Sequence, residues 1–107
     1  MDTGCVMVWT TVASTAEAER LASILLEEQL AACVNVLAEM QSFYRWKGSV
    51  ETGREHQLVI KTTAERVPAL ATRLAELHEY ELPELIVVPV AGGSDAYLNW
   101  IRESATG

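Results

Sequence analysis

No run of about 18 apolar residues, the length a helix needs to span a bilayer, occurs in this chain, and its first twenty residues lack the basic and then hydrophobic layout of a secretory leader. Both absences predict a cytoplasmic protein with no membrane association. Cysteine is scarce: Cys5 and Cys33 stand alone, with no Cys-x-x-Cys or Cys-x-x-His spacing, which leaves no basis for a zinc finger or a thioredoxin-type pair. In a reducing compartment both are free thiols, and each reads first as a small buried apolar residue. Basic residues are few as well, eight Lys and Arg against fifteen Asp and Glu for a formal charge of −7. They do not cluster, so a phosphate backbone is repelled and nucleic acid is not an expected partner. The catalytic signatures Gly-x-Ser-x-Gly, His-Glu-x-x-His and Gly-x-x-x-x-Gly-Lys are missing, and Gly92-Gly93 alone is a turn signal. No enzymatic activity and no organic cofactor are expected.

What is present is a 107-residue chain, half of it apolar, a size at which one hydrophobic core suffices, so a single domain over residues 1–107 is expected. Its acidity draws cations only as a diffuse field, which by itself specifies no metal.

Cys5 to Thr11 is β-branched, aromatic and apolar at nearly every position, as in a central strand. Ser14 with Glu17 forms a capping-box pair, and Ala18, Leu21, Ala22 and Leu25 repeat at helical spacing, predicting a first helix from Thr15 to Gln29 or Leu30. Ala32 to Leu37 reads as a second strand. Met40 to Trp46, the turn Lys47-Gly48, and Ser49 to Thr63 read as a long hairpin, with a bulge or bend expected at Gly53. A second helix starts between Thr63 and Val67, since Pro68 is tolerated only in a first turn. It ends before Pro83, because the residue preceding proline avoids helical dihedrals. Leu85 to Val90 reads as the last strand, and Ser94 caps a short final helix.

This order is that of an α+β fold, the ferredoxin-like βαββαβ sandwich with an extended β-hairpin and a short C-terminal helix, its two main helices on one face of an antiparallel sheet. The fold is reused for many functions and carries no chemistry by itself. The hairpin does have a consequence. An arm bearing Met40, Phe43, Tyr44, Trp46 and Val50 reaches beyond what two helices cover, so an oligomer is expected. The alternative is an arm folded back on its own sheet.

The candidate ligands lie in His78-Glu79-Tyr80-Glu81-Leu82-Pro83-Glu84. There an imidazole and three carboxylates could face a common space, a donor set that copper and zinc accept. A histidine in a last helical turn also has an ordinary role beside the helix dipole, and surface glutamates are ordinarily just solvated; spacing alone favours that reading. Cys33 is a further thiolate donor or a packing residue. His56, beside Glu55, reads as an exposed or interface residue.

Five strings stand in order along nearly the whole chain: Leu30 to Val36, Ser42 to Gly48, Glu55 leading to Ile60-Lys61-Thr62-Thr63, His78 to Glu84, and Tyr97 to Ile101. Together they resemble the CutA divalent-ion tolerance proteins. The resemblance implies a cytoplasmic homotrimer whose sheets join edge to edge, and tolerance to copper and other divalent ions. It also implies metal contacts at His78, Cys33 and Glu81 holding Cu(II) or Zn(II) reversibly. Two positions depart from the family pattern: Glu79 stands where proline is usual, and Thr10 where some members have cysteine. The first makes the loop looser or more acidic, and the second depletes a thiolate-rich site. The fold and trimeric state are also similar to those of PII signalling proteins. That likeness implies a second role, a sensor or adaptor holding a small anionic metabolite or a partner protein in clefts between subunits.

Overall fold

Alternating β-branched residues give strand β1, Cys5–Val12, two faces of different use. Val6, Val8 and Val12 enter the main core, and Cys5 joins a second cluster on the opposite side. The computed structural model describes residues 2–107. Helix α1, Thr15–Glu27, begins where the Ser14 hydroxyl accepts the Glu17 N–H at 3.1 Å. Only this half of the expected capping box forms: the Glu17 carboxylate is taken by the Arg20 guanidinium at 2.7 and 3.1 Å, a charge-assisted pair stronger than a bond to a neutral N–H.

α1 stops short of the expected Gln29 or Leu30 because Gln29 turns left-handed, at φ 58°. Leu30 N–H then bonds the Leu25 carbonyl and Gln29 N–H that of Leu26, at 2.9 and 3.0 Å. This is a Schellman closure with glutamine in the place that glycine ordinarily takes.

Strands β2, Cys33–Val36, and β3, Met40–Trp46, lie end to end along one edge of β4, Ser49–Thr63. Val36 faces Leu58 and Met40 faces Glu55, so Leu37, Ala38 and Glu39 oppose only His56 and Gln57. The bulge is therefore here and not at Gly53, which pairs with Ser42 in unbroken register. At Gly53 the bare backbone instead accommodates the Tyr44 ring, whose hydroxyl lies 3.7 Å from where a Cβ would stand. His56 fills the bulge, its Nδ1 2.8 Å from the Leu37 carbonyl. Lys47 and Gly48 close the hairpin with φ 49° and 83°, both positive, as the twist of a two-residue hairpin demands.

A 3₁₀ turn, Ala64–Arg66, leads into helix α2, Val67–Leu77, with Pro68 in its first turn. Strand β5, Ile86–Pro89, pairs with the free edge of β1, and Ser94 caps helix α3, Asp95–Ser104. β2 and β5 are each one residue shorter at either end than the apolar patterns suggest, although Ala32, Leu37 and Val90 just beyond them still donate their N–H groups to the neighbouring strands.

The result is the ferredoxin-like sandwich: a five-stranded antiparallel sheet in the order β2-β4-β1-β5, with β3 paired to the outer length of β4. Leu21 and Leu25 of α1 and Leu70 and Leu74 of α2 pack on Val8, Leu58 and Ile60, while α3 lays Leu98 and Ile101 against Cys5 on the other face. The hairpin arm does not fold back. The chain measures 44 × 27 × 24 Å, and Phe43 and Val50 on the arm are 69 % and 66 % exposed.

Candidate functional site

The arm and the 79–84 loop enclose a cleft of about 860 Å³. Because facing residues of a ladder share a side, Met40, Ser42, Tyr44 and Trp46 of β3 line up with Gly53, Glu55 and Gln57 of β4 and with Thr11 of β1. That side is the one opposite α1 and α2, and all eight residues line the cleft, as do Tyr80, Glu81, Pro83 and Glu84.

The loop reaches the sheet through successive ties. α2 ends at Leu77, with His78 N–H bonding the Leu74 carbonyl while His78 itself turns extended at ψ 139°. The imidazole then bridges two main-chain groups: Nε2 lies 2.7 Å from the Thr11 carbonyl and Nδ1 accepts the Tyr80 N–H at 3.0 Å. An amide N–H can only donate and a carbonyl only accept, so the ring is the neutral tautomer with its hydrogen on Nε2. Tyr80 follows, its ring 4.8 Å from that of His78 and its hydroxyl donating to Glu55 at 2.9 Å. Burial, and then this bond to a carboxylate, push the phenol well above its ordinary range. Further along, Gln57 Nε2 donates to Glu84 and to the Thr10 carbonyl, both at 2.8 Å.

Glu79, also on the cleft lining, lies near Glu17 and Arg20 of α1. The neighbouring Glu17 carboxyl raises Glu79 above the usual carboxylate range, while the Arg20 guanidinium holds Glu17 below it. Arg20 also donates to the Leu77 carbonyl, so the Glu17–Arg20 pair staples the start of α1 to the end of α2.

The expected ligands are not brought together in one chain. His78 has both ring nitrogens engaged, Glu81 is exposed with Lys47 Nζ 3.6 Å away, and the half-buried Cys33 thiol lies 3.8 Å from Asn35 Oδ1. Cys33 faces Lys61 on β4, whereas the Thr11 that holds His78 faces Gln57, four positions along the strand. Among the described residues no three of His, Cys, Asp or Glu stand close enough to share an ion. A single chain therefore does not fit a copper or zinc ion at these residues. The hydroxyl of Thr10 is fully buried without a hydrogen-bond partner among the described residues.

Sequence reasoning did not find Gln57, Thr11 or the Glu17–Glu79 pair. Gln57 left one signal, an amide at the mouth of the apolar run Leu58-Val59-Ile60; Thr11 acts through its carbonyl and left none.

Comparison with known proteins agrees with this construction. Residues 6–104 match the family described as CutA1 divalent ion tolerance protein. The Divalent-cation tolerance protein CutA of Thermus thermophilus is 43 % identical over 98 residues, covering 92 % of this chain and 95 % of that one. The chloroplastic CutA of Arabidopsis thaliana is 38 % identical over 92 % of this chain and 54 % of its own length. The crystal structure of CutA from Xylella fastidiosa superposes with a TM-score of 0.93 at 43 % identity, covering 96 % of this chain and 99 % of that one. With sequence and fold matched over the whole sheet, the arm and the loop, the chain belongs to the CutA1 divalent ion tolerance family.

Proposed function

We propose that the protein serves divalent-cation tolerance as a cytoplasmic homotrimer that binds Cu(II) or a related ion such as Zn(II) reversibly and catalyses no reaction. The observation that carries this reading is the dispersal of the donors. Cys33 is a free thiol on an edge strand, Glu81 is exposed at the loop tip, and His78 stands at the loop root, so a complete site needs two copies to meet. The surface suits such a meeting. The outer edges of β2 and β5 are unpaired among the described residues, Ile86 on β5 is 53 % exposed, and the Trp9 indole N–H is buried without a partner among the described residues.

Titration calorimetry with Cu(II) and Zn(II), beside light scattering on the same samples, tests it. A trimer mass with saturable heat, weakened severalfold by His78→Ala and Cys33→Ala, is the expected result. Isotherms indifferent to both substitutions overturn the assignment of the site, and a monomeric mass overturns the assembly.

One observation favours a second reading, a PII-like sensor or adaptor: the cleft is far larger than an ion needs and has aromatic walls. Glu55, Glu81 and Glu84 on its lining suit a neutral or cationic occupant better than an anionic metabolite. Binding of a small molecule to metal-free protein distinguishes this reading from the first.

A further inference from the structure

His78 is the residue of the loop that the metal reading asks most of, and it is also the one most fully committed elsewhere. Its ring nitrogens serve Thr11 and Tyr80, both through main-chain atoms that cannot rotate away as side chains do. Beyond it, the 79–84 segment belongs to no helix or strand, Leu82 is 71 % exposed, and toward the cleft the loop is held by the Tyr80–Glu55 and Gln57–Glu84 hydrogen bonds and by the exposed Glu81–Lys47 ion pair at 3.6 Å. The two hydrogen bonds follow the turn that the chain makes at His78 as it leaves α2.

We propose that His78 is a positioning residue, a latch that pins the 79–84 loop to β1 and so shapes the cleft, and that a divalent ion can take its ring only by releasing that loop. The second half rests on the metal reading above. The chemistry leaves no free position. A metal ion needs a ring lone pair, and the lone pair present, on Nδ1, already accepts the Tyr80 N–H. Using Nε2 instead requires moving its hydrogen to Nδ1. That turns two N–H groups face to face at Tyr80 and strips the Thr11 carbonyl of its donor. Ligation on either nitrogen therefore costs latch bonds, and metal affinity and loop closure are linked with opposite sign. Weakening another tie of the loop, as in Tyr80→Phe, should tighten metal binding at His78 although Tyr80 donates nothing to the ion.

The test follows the exchange of the Tyr80 amide and the ring nitrogen shifts of His78 by NMR in the full chain, with Zn(II) as the probe. In metal-free protein, His78→Ala should speed Tyr80 exchange about tenfold, the loss of one hydrogen bond. His78→Asn should restore protection, because asparagine Oδ1 sits where Nδ1 does and accepts the N–H two residues on. In the wild type, Zn(II) should move the ring signals and abolish Tyr80 protection at one midpoint, and Tyr80→Phe should lower that midpoint. An alanine variant whose Tyr80 amide exchanges as slowly as the wild type overturns the latch. A ring that takes Zn(II) while Tyr80 stays protected overturns the coupling. A ring indifferent to Zn(II) overturns the coupling and His78 as a ligand together, while the alanine and asparagine pair still decides the latch.

Discussion

Tyr80 donates its hydroxyl hydrogen to Glu55 at 2.9 Å, joining the loop that follows α2 to the root of the hairpin arm. These residues are 25 positions apart and are the only direct side-chain hydrogen bond from the Tyr80 ring to the arm among the described residues. Tyr80→Phe keeps the ring and removes the bond, leaving a half-buried carboxylate without its donor. The expected cost is about 1 kcal/mol, discounted for partial exposure, in chemical denaturation, with no change in secondary structure. A variant as stable as the wild type would show that the bond contributes nothing.

Gln29 closes α1 at φ 58°, a conformation that burdens any residue with a Cβ. Gln29→Gly removes that strain, and its main-chain carbonyl, which Arg66 uses, is retained. Stability should rise by about 0.5 to 1 kcal/mol after glycine's greater freedom in the unfolded chain is subtracted. A fall in the denaturation midpoint would contradict this.

Thr10 offers a second stabilising change. Its hydroxyl is buried in the sheet without a partner among the described residues, and a buried unpaired polar atom is worse than the methyl group of the same size. Thr10→Val should therefore gain about 1 kcal/mol, read from the same denaturation curves, and the prediction fails if valine destabilises.

Stability should depend on pH through the Glu17–Glu79 pair, with opposite signs for its members. Glu17, held low by Arg20, stabilises the fold above the ordinary carboxylate range and loses that contribution as pH falls through its lowered value. Glu79, held high by Glu17, contributes fully at low pH and loses its contribution as pH rises through its raised value. Glu79→Gln supplies an amide donor to Glu17 at every pH. It should melt above the wild type at pH 7, and the advantage should shrink on acidification. Thermal melts from pH 3 to pH 8 check both; a glutamine variant that melts lower at pH 7 is incompatible with the pairing.

The parts of the fold that local pattern dictates were readable in the chain itself. Ser14 and Ser94 cap the helices they precede, Pro68 lies in the first turn of α2, and Lys47-Gly48 turns the hairpin. Features that depend on distant partners were not. The bulge lies at Leu37–Glu39 because β2 and β3 must share one partner strand, and nothing within the hairpin sequence records that. His78 announces itself as a ligand by type, yet its use is decided by a carbonyl 67 positions earlier in the chain. Glu79 was visible as a departure from family pattern, but its partner Glu17 emerged only once α1 and α2 lay side by side.

β4 runs without a break from the hairpin turn to the core edge, Ser49–Thr63, and this restricts how the arm can change length. Side chains alternate across a strand, so adding or deleting one residue on each side of the turn carries the residues beyond that point to the opposite face. Tyr44 and Trp46 would then turn to the opposite face of the arm, and the wall they form would be lost. Arm lengths that differ by two residues per strand keep the wall intact. Relatives with longer or shorter arms and the same cleft should therefore differ in steps of two per strand, a parity rule imposed by the pleat alone.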